Sequence, residues 1–131
     1  MSRENVEIVR RHMDAFRAGD VTAALTAYRP EVIFDARVRP EGRIYRGRDD
    51  YWEAVRAWVG TFDDYTWEIE ELIDADERVL MALRECGRGK GSRVEVIQQS
   101  FWIYELRDGQ IVHATVLVDR AEALEAVGLS E

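Results

Sequence analysis

Apolar residues at Val6, Val9, Met13 and Phe16 fall three and four apart, the spacing of one face of a helix. Gly19 ends that helix. Asp20 then caps a second, short helix with Val21, Ala24, Leu25 and Tyr28 on its apolar face, and Pro30 closes it. Residues 32–38 read as a strand and 39–48 as a polar, arginine-rich loop. Asp49 caps a third helix that carries Trp52, Val55, Trp58, Val59 and Phe62 on one stripe. After Asp64 the hydrophobic period changes from helical to alternating, the mark of strands. Residues 66–73, 79–86, 93–106 and 111–118 then form four strands in a meander, joined by turns at 74–77, 87–92 and 107–110. Asp108-Gly109 supplies the positive φ that a tight hairpin needs. Asp119 caps a last helix over 120–127, with Gly128 beyond its end. Helices segregated from an antiparallel sheet define one α+β domain over residues 1–131.

The last hairpin is apolar on both faces of both arms. Phe101 and Ile103 alternate with Trp102 and Tyr104, so the sheet has to be covered on both sides. Helices supply one cover, and a second copy of the chain is expected to supply the other.

The 131 residues suffice for one sizeable core. No apolar run approaches the ~18 residues of a membrane span, and the charged amphipathic start has no signal-peptide pattern. A net charge of −8 disfavours nucleic acid and anionic membranes as partners. Cys86, the single cysteine, cannot form an internal disulfide, which fits a cytoplasmic location. One lysine against 17 arginines reads as the codon bias of a GC-rich bacterium. His12, His113 and Cys86 lack metal-ligand spacing, so no metal is expected. The run Gly87-Arg88-Gly89-Lys90-Gly91-Ser92 has no helix after it and reads as a hairpin turn, not a phosphate loop.

Five stretches carry a family likeness: Ala18-Gly19-Asp20-Val21, Tyr28 to Phe34, Tyr45-Arg46-Gly47-Arg48-Asp49, Leu106 to Ile111, and Asp119 to Leu124. In these the chain resembles the nuclear transport factor 2-like superfamily, and within it the SnoaL-like group. The resemblance implies a cone-shaped fold, with a curved antiparallel sheet packed on three N-terminal helices and a short C-terminal helix. It also implies a pocket for a small apolar molecule, and a homodimer through the sheet's outer face.

The superfamily includes ketosteroid isomerases, epoxide hydrolases, polyketide cyclases and dehydratases. Aligned on the isomerase pattern, His12 stands where those enzymes have Tyr, and Ala36 and Trp102 where they have Asp. The hydrolase and cyclase acid falls near Val116, in a row Ala114, Val116, Val118 with no carboxylate. None of those reactions is supported as such.

The pocket expected from the resemblance has Phe16, Tyr28, Phe34, Trp58 and Phe62 as walls. Gln98, Ser100, Trp102 and Tyr104 alternate inward on the long strand, and Val116 and Val118 on the next. His12 on the apolar face of the first helix is either a general base or a hydrogen-bonded core-edge histidine. Asp35 becomes its catalytic partner if a bulge turns the strand inward, and otherwise pairs with an arginine on the solvent side. The basic stretch Arg37, Arg39, Arg43, Arg46 and Arg48 either steers an acidic ligand or is a solvated face. The aromatic stripe of the third helix is core first and ligand wall second. Glu68 and Glu70, alternating with Trp67 and Ile69, read as an exposed sheet face or dimer rim.

Three functions follow: a cofactor-free acid–base enzyme acting as isomerase, cyclase or dehydratase; a binder of an apolar metabolite; and an interaction module with a closed cone. An inward Asp35 bonded to His12 favours the first, an open pocket without a His12–Asp35 or His12–Tyr contact the second, and a closed cone the third.

Overall fold

The computed structural model describes residues 2–129. In chain order the elements are α1 (Ser2–Arg17), α2 (Val21–Leu25), β1 (Tyr28–Asp35), β2 (Ile44–Arg46) and α3 (Arg48–Val59). They continue with β3 (Phe62–Ala75), β4 (Arg78–Gly89), β5 (Glu95–Arg107), β6 (Gln110–Leu117) and α4 (Arg120–Ala126). The strands form one curved sheet in the order β2-β1-β6-β5-β4-β3. It is mixed and not wholly antiparallel, because β1 lies parallel to β6. Between these two in sequence come β2, α3 and the strands β3, β4 and β5, and the chain arrives beside β1 running in the same direction.

Local chemistry sets most boundaries. Asp20 and Asp119 cap α2 and α4 by accepting from the backbone N–H of Ala23 at 3.1 Å and Glu122 at 3.0 Å. Asp108 and Gly109 both have positive φ, so the hairpin turns on these two residues. Four details differ from the sequence pattern. Tyr28 and Pro30, read as the end of the second helix, lie in β1, because α2 already stops at Leu25. Gly47, with φ +93°, takes the cap position of α3, and Asp49 sits in the first turn near the helix's positive end. Phe62 lies past Gly60 and opens β3 instead of extending the helical stripe. The arginine-rich segment holds a strand, β2, whose Tyr45 and Ile44 pair with Phe34 and Asp35. It was hidden because only three residues pair.

Alternation in the sheet sorts its side chains. Val79, Met81 and Leu83 on β4, Trp102 and Tyr104 on β5 and Ala114 and Val116 on β6 are buried against α1 and α3. Leu80, Ala82, Phe101 and Ile103 point the other way and pack on Ala123, Leu124 and Val127 in and just after α4. The C-terminal helix therefore covers the part of the outer face expected to meet a second copy. No helix among the described residues is long and apolar enough to cross a membrane.

The connection from β1 to β2 is a tight loop. Ala36 N–H donates to Arg43 O, Arg39 N–H to Ala36 O, and Gly42 N–H to Arg39 O. A Cβ on Gly42 would lie 1.9 Å from the Ala36 carbonyl oxygen, so only glycine fits. Gly42→Ala is expected to cost about 1–3 kcal/mol, the usual range for overpacking, read as a lower urea midpoint. It should also change tryptophan emission, because this loop sets Arg39 on Trp58.

Candidate functional site

A cavity of about 240 Å³ opens between α1, α3 and the inner face of the sheet. Met13 and Phe16 line it from α1, and Tyr51, Trp52, Val55, Arg56 and Val59 from α3. Tyr65 and Trp67 of β3, Met81 and Leu83 of β4, and Trp102 and Tyr104 of β5 complete it. Phe16 stacks on Trp52 with ring centroids 5.7 Å apart. The wall is almost wholly apolar, the usual make-up of a small-molecule site, where a few polar groups fix orientation. Two buried polar systems meet it.

The first begins on α1. His12 is 3% exposed, and its Nδ1 lies 2.6 Å from the Val9 carbonyl oxygen. A carbonyl can only accept, so Nδ1 carries the proton and Nε2 is left as an acceptor. Tyr28 OH, 2.9 Å away, donates to it. Having spent its proton there, the Tyr28 oxygen accepts from Tyr51 OH at 2.6 Å. Hydrogen bonds thus run in one direction, from cavity-lining Tyr51 through Tyr28 to His12. Burial lowers the His12 pKa to about 4, against which the Val9 and Ile8 backbone contacts pull only weakly. Burial also raises the hydroxyls of Tyr28, Tyr51 and Tyr104 above the ordinary phenol range. At neutral pH the chain is uncharged and its proton order is fixed.

The second system centres on Glu85 of β4, 4% exposed. One carboxylate oxygen accepts from Trp58 Nε1 at 3.1 Å and from Tyr65 OH. The other accepts from Gln98 Nε2 at 3.3 Å and Ser100 Oγ at 3.0 Å. Trp102 Nε1 in turn donates to Ser100 Oγ at 3.2 Å. Four donors on one acceptor-only group satisfy it fully. The Arg39 guanidinium lies over two of these indoles, 4.2 Å from the Trp58 centroid and 5.2 Å from that of Trp102.

Of the expected site residues, Phe16, Trp102 and Tyr104 line the cavity. Tyr28 and His12 stand behind Tyr51. Phe34 stacks on Trp102, centroids 5.4 Å apart, and is core, as is Val116. Trp58, Gln98 and Ser100 serve Glu85, and Phe62 packs edge-on against Trp58 at 5.3 Å. Val118 lies past the end of β6 and is 55% exposed, so it lines nothing.

The His12–Asp35 pair does not form. Asp35 pairs in register with Thr115, and Thr115 with Ile103, which places all three on the outer face. Its carboxylate accepts from Arg37 Nε at 3.0 Å and Nη2 at 2.7 Å, and these bonds lower its pKa. The register of β1 does shift, but between Tyr28 and Ile33, too early to turn Asp35 inward.

Sequence reasoning missed Tyr51, Tyr65 and Glu85. Two of these left a signal. Glu85 continues the inward row Val79, Met81, Leu83, and a lone acid on an apolar row is a buried acid. Tyr51 precedes Val55 by four residues and so shares its helix face.

Helices packed inside a curved sheet, with an aromatic cavity in the mouth, define the nuclear transport factor 2-like class. The SnoaL-like domain family matches residues 9–114, and the chain belongs to that family. Solved structures agree on the fold. A nuclear transport factor 2-like protein from Burkholderia thailandensis is 23% identical, with 91% of this chain and 95% of that one covered and a TM-score of 0.80. A protein of the same fold and unknown function from Burkholderia pseudomallei is 19% identical over 98% of this chain and 99% of that one, at a TM-score of 0.76. TerC, co-crystallised with polyporic acid, is 17% identical over 95% and 98%, at 0.74. No curated protein matches the chain by sequence.

Proposed function

We propose that this SnoaL-like protein takes a flat, largely apolar molecule into the cavity and moves a proton on it with its own side chains, as an isomerase, cyclase or dehydratase does. The observation that carries this is the ordered chain Tyr51–Tyr28–His12, which ends an apolar cavity in a directed run of exchangeable protons. A substrate C–H or O–H proton passes to the Tyr51 oxygen as the Tyr51 proton moves to Tyr28 and the Tyr28 proton to His12 Nε2. The bonding pair stays on the substrate as an enolate or alkoxide. The reverse transfer, to another atom, completes the reaction. The imidazolium that forms gains basicity from the anion held across Tyr51 and Tyr28, which offsets part of the burial effect.

A second reading, carriage without turnover, is favoured by the low basicity that burial gives His12. One experiment separates the two. 2-Tetralone is a flat bicyclic ketone with acidic α-protons, whose exchange in D2O is followed by proton NMR. The protein should accelerate exchange over buffer, and Tyr51→Phe should lower that acceleration about 100-fold, the lower end of general acid–base contributions. Exchange no faster than with Tyr51→Phe or with buffer leaves carriage as the function.

The reading extends to assembly and compartment. The outward residues Ile97, Gln99, His113 and Thr115 lie beyond the part covered by α4, and they are where a second copy would pair. Sedimentation as a monomer at every concentration removes the homodimer. The free, half-buried Cys86 supports a reducing cytoplasm as the compartment.

A further inference from the structure

Of the arginine-rich stretch, one member turns inward. Arg37 is held by Asp35, Arg48 donates to the Tyr28 carbonyl, and Arg43 lies over the Tyr45 ring. Arg46 is exposed on β2. Arg39 instead lies over Trp58 and Trp102, and its Nη2 is buried with no hydrogen-bond partner. No other side-chain nitrogen or oxygen among the described residues is buried and unpaired. A buried orphan donor costs roughly 1–3 kcal/mol, more when it is charged, so it marks a place where an acceptor belongs.

The carboxylate that acts on Arg39 most strongly is already used. Glu85 attracts Arg39 electrostatically, but its two oxygens are filled by Trp58, Tyr65, Gln98 and Ser100. Charge is thus partly balanced while the guanidinium's donors remain open. Arg39 is not itself in the cavity wall but borders it: it lies over the ring of cavity-lining Trp102 and within electrostatic reach of Tyr51, Tyr65 and Tyr104, which also line it. Burial lowers its pKa and Glu85 raises it.

We infer that Arg39 is an anion-recognition residue at the margin of the cavity, and that the ligand is a flat aromatic molecule bearing a carboxylate or a similarly acidic oxygen. A planar guanidinium stacked on indoles presents its donors edge-on, the geometry a carboxylate takes up with two hydrogen bonds. The inference rests on the cavity as a ligand site and is independent of whether turnover occurs.

The test compares 2-naphthoate with its neutral analogue 2-naphthamide by isothermal titration calorimetry on the protein and on Arg39→Met. Naphthoate should bind the native protein at least tenfold more tightly than naphthamide. In Arg39→Met this preference should vanish while naphthamide affinity stays within twofold, which shows the cavity intact. The preference should persist in 0.5 M NaCl, because a buried contact is screened far less than surface arginines. Equal binding of the two compounds, or a preference that survives Arg39→Met, overturns the anion role and leaves the cavity reading standing. Failure of both compounds to bind overturns the two together.

Discussion

Glu85→Gln is expected to lower the stability of the protein by about 2–4 kcal/mol, read as a fall in the urea midpoint. The carboxylate meets four donors through charge-assisted bonds, roughly twice as strong as neutral ones. Glutamine keeps one oxygen and presents two N–H groups to the other pair. Ser100 Oγ and the Gln98 amide must turn from donor to acceptor to meet them, and all four bonds lose their charge assistance, at roughly 1 kcal/mol each. Against a typical total of about 5–15 kcal/mol the loss is large. Trp58 and Trp102 touch this network, so tryptophan emission at zero denaturant should change as well. A midpoint within experimental error of the native one would show that Glu85 does not organise this end of the cavity.

His12→Gln should flatten the pH dependence of stability between about pH 6.5 and 4. In the unfolded chain His12 binds a proton with its ordinary pKa of 6.5, and in the fold only near 4. Between these values the unfolded state holds more protons, so stability falls as the pH falls. The contribution is present above pH 6.5 and is lost progressively on the way down to about 4. Two and a half units correspond to on the order of 3 kcal/mol. Gln does not titrate, and its side-chain oxygen can still accept from Tyr28. The carboxylates whose pKa values are lowered, Asp35 and Glu71, are common to both proteins and cancel in the comparison. Parallel stability profiles for the two proteins would mean that His12 is not buried in its neutral form.

The sequence by itself determined the family and every element except β2. The 3.6-residue spacing from Val6 to Phe16, the caps at Asp20 and Asp119 and the Asp108-Gly109 turn are local signals, and the structure keeps each of them. They are legible because they depend on neighbours a few residues away. The inward set Trp102 and Tyr104 was legible for the same reason, since alternation needs only the strand.

Tertiary structure alone decided the site. Which side of β1 faces the core depends on its register against β6, and that register placed Asp35 outside with Arg37. The hydrogen-bonded run from His12 joins residues 16 and 23 positions apart, on a helix, a strand and a second helix. Glu85 gathers donors from α3, β3 and β5. Arg39 is inward because Gly42 lets the chain close on the Ala36 carbonyl. Buried polar groups find partners wherever the fold brings them, at any separation along the chain. Spacing in sequence therefore announced the cone and part of its aromatic wall, while the acids, bases and donors that give the cavity its chemistry were fixed only by the closing of the sheet around the helices.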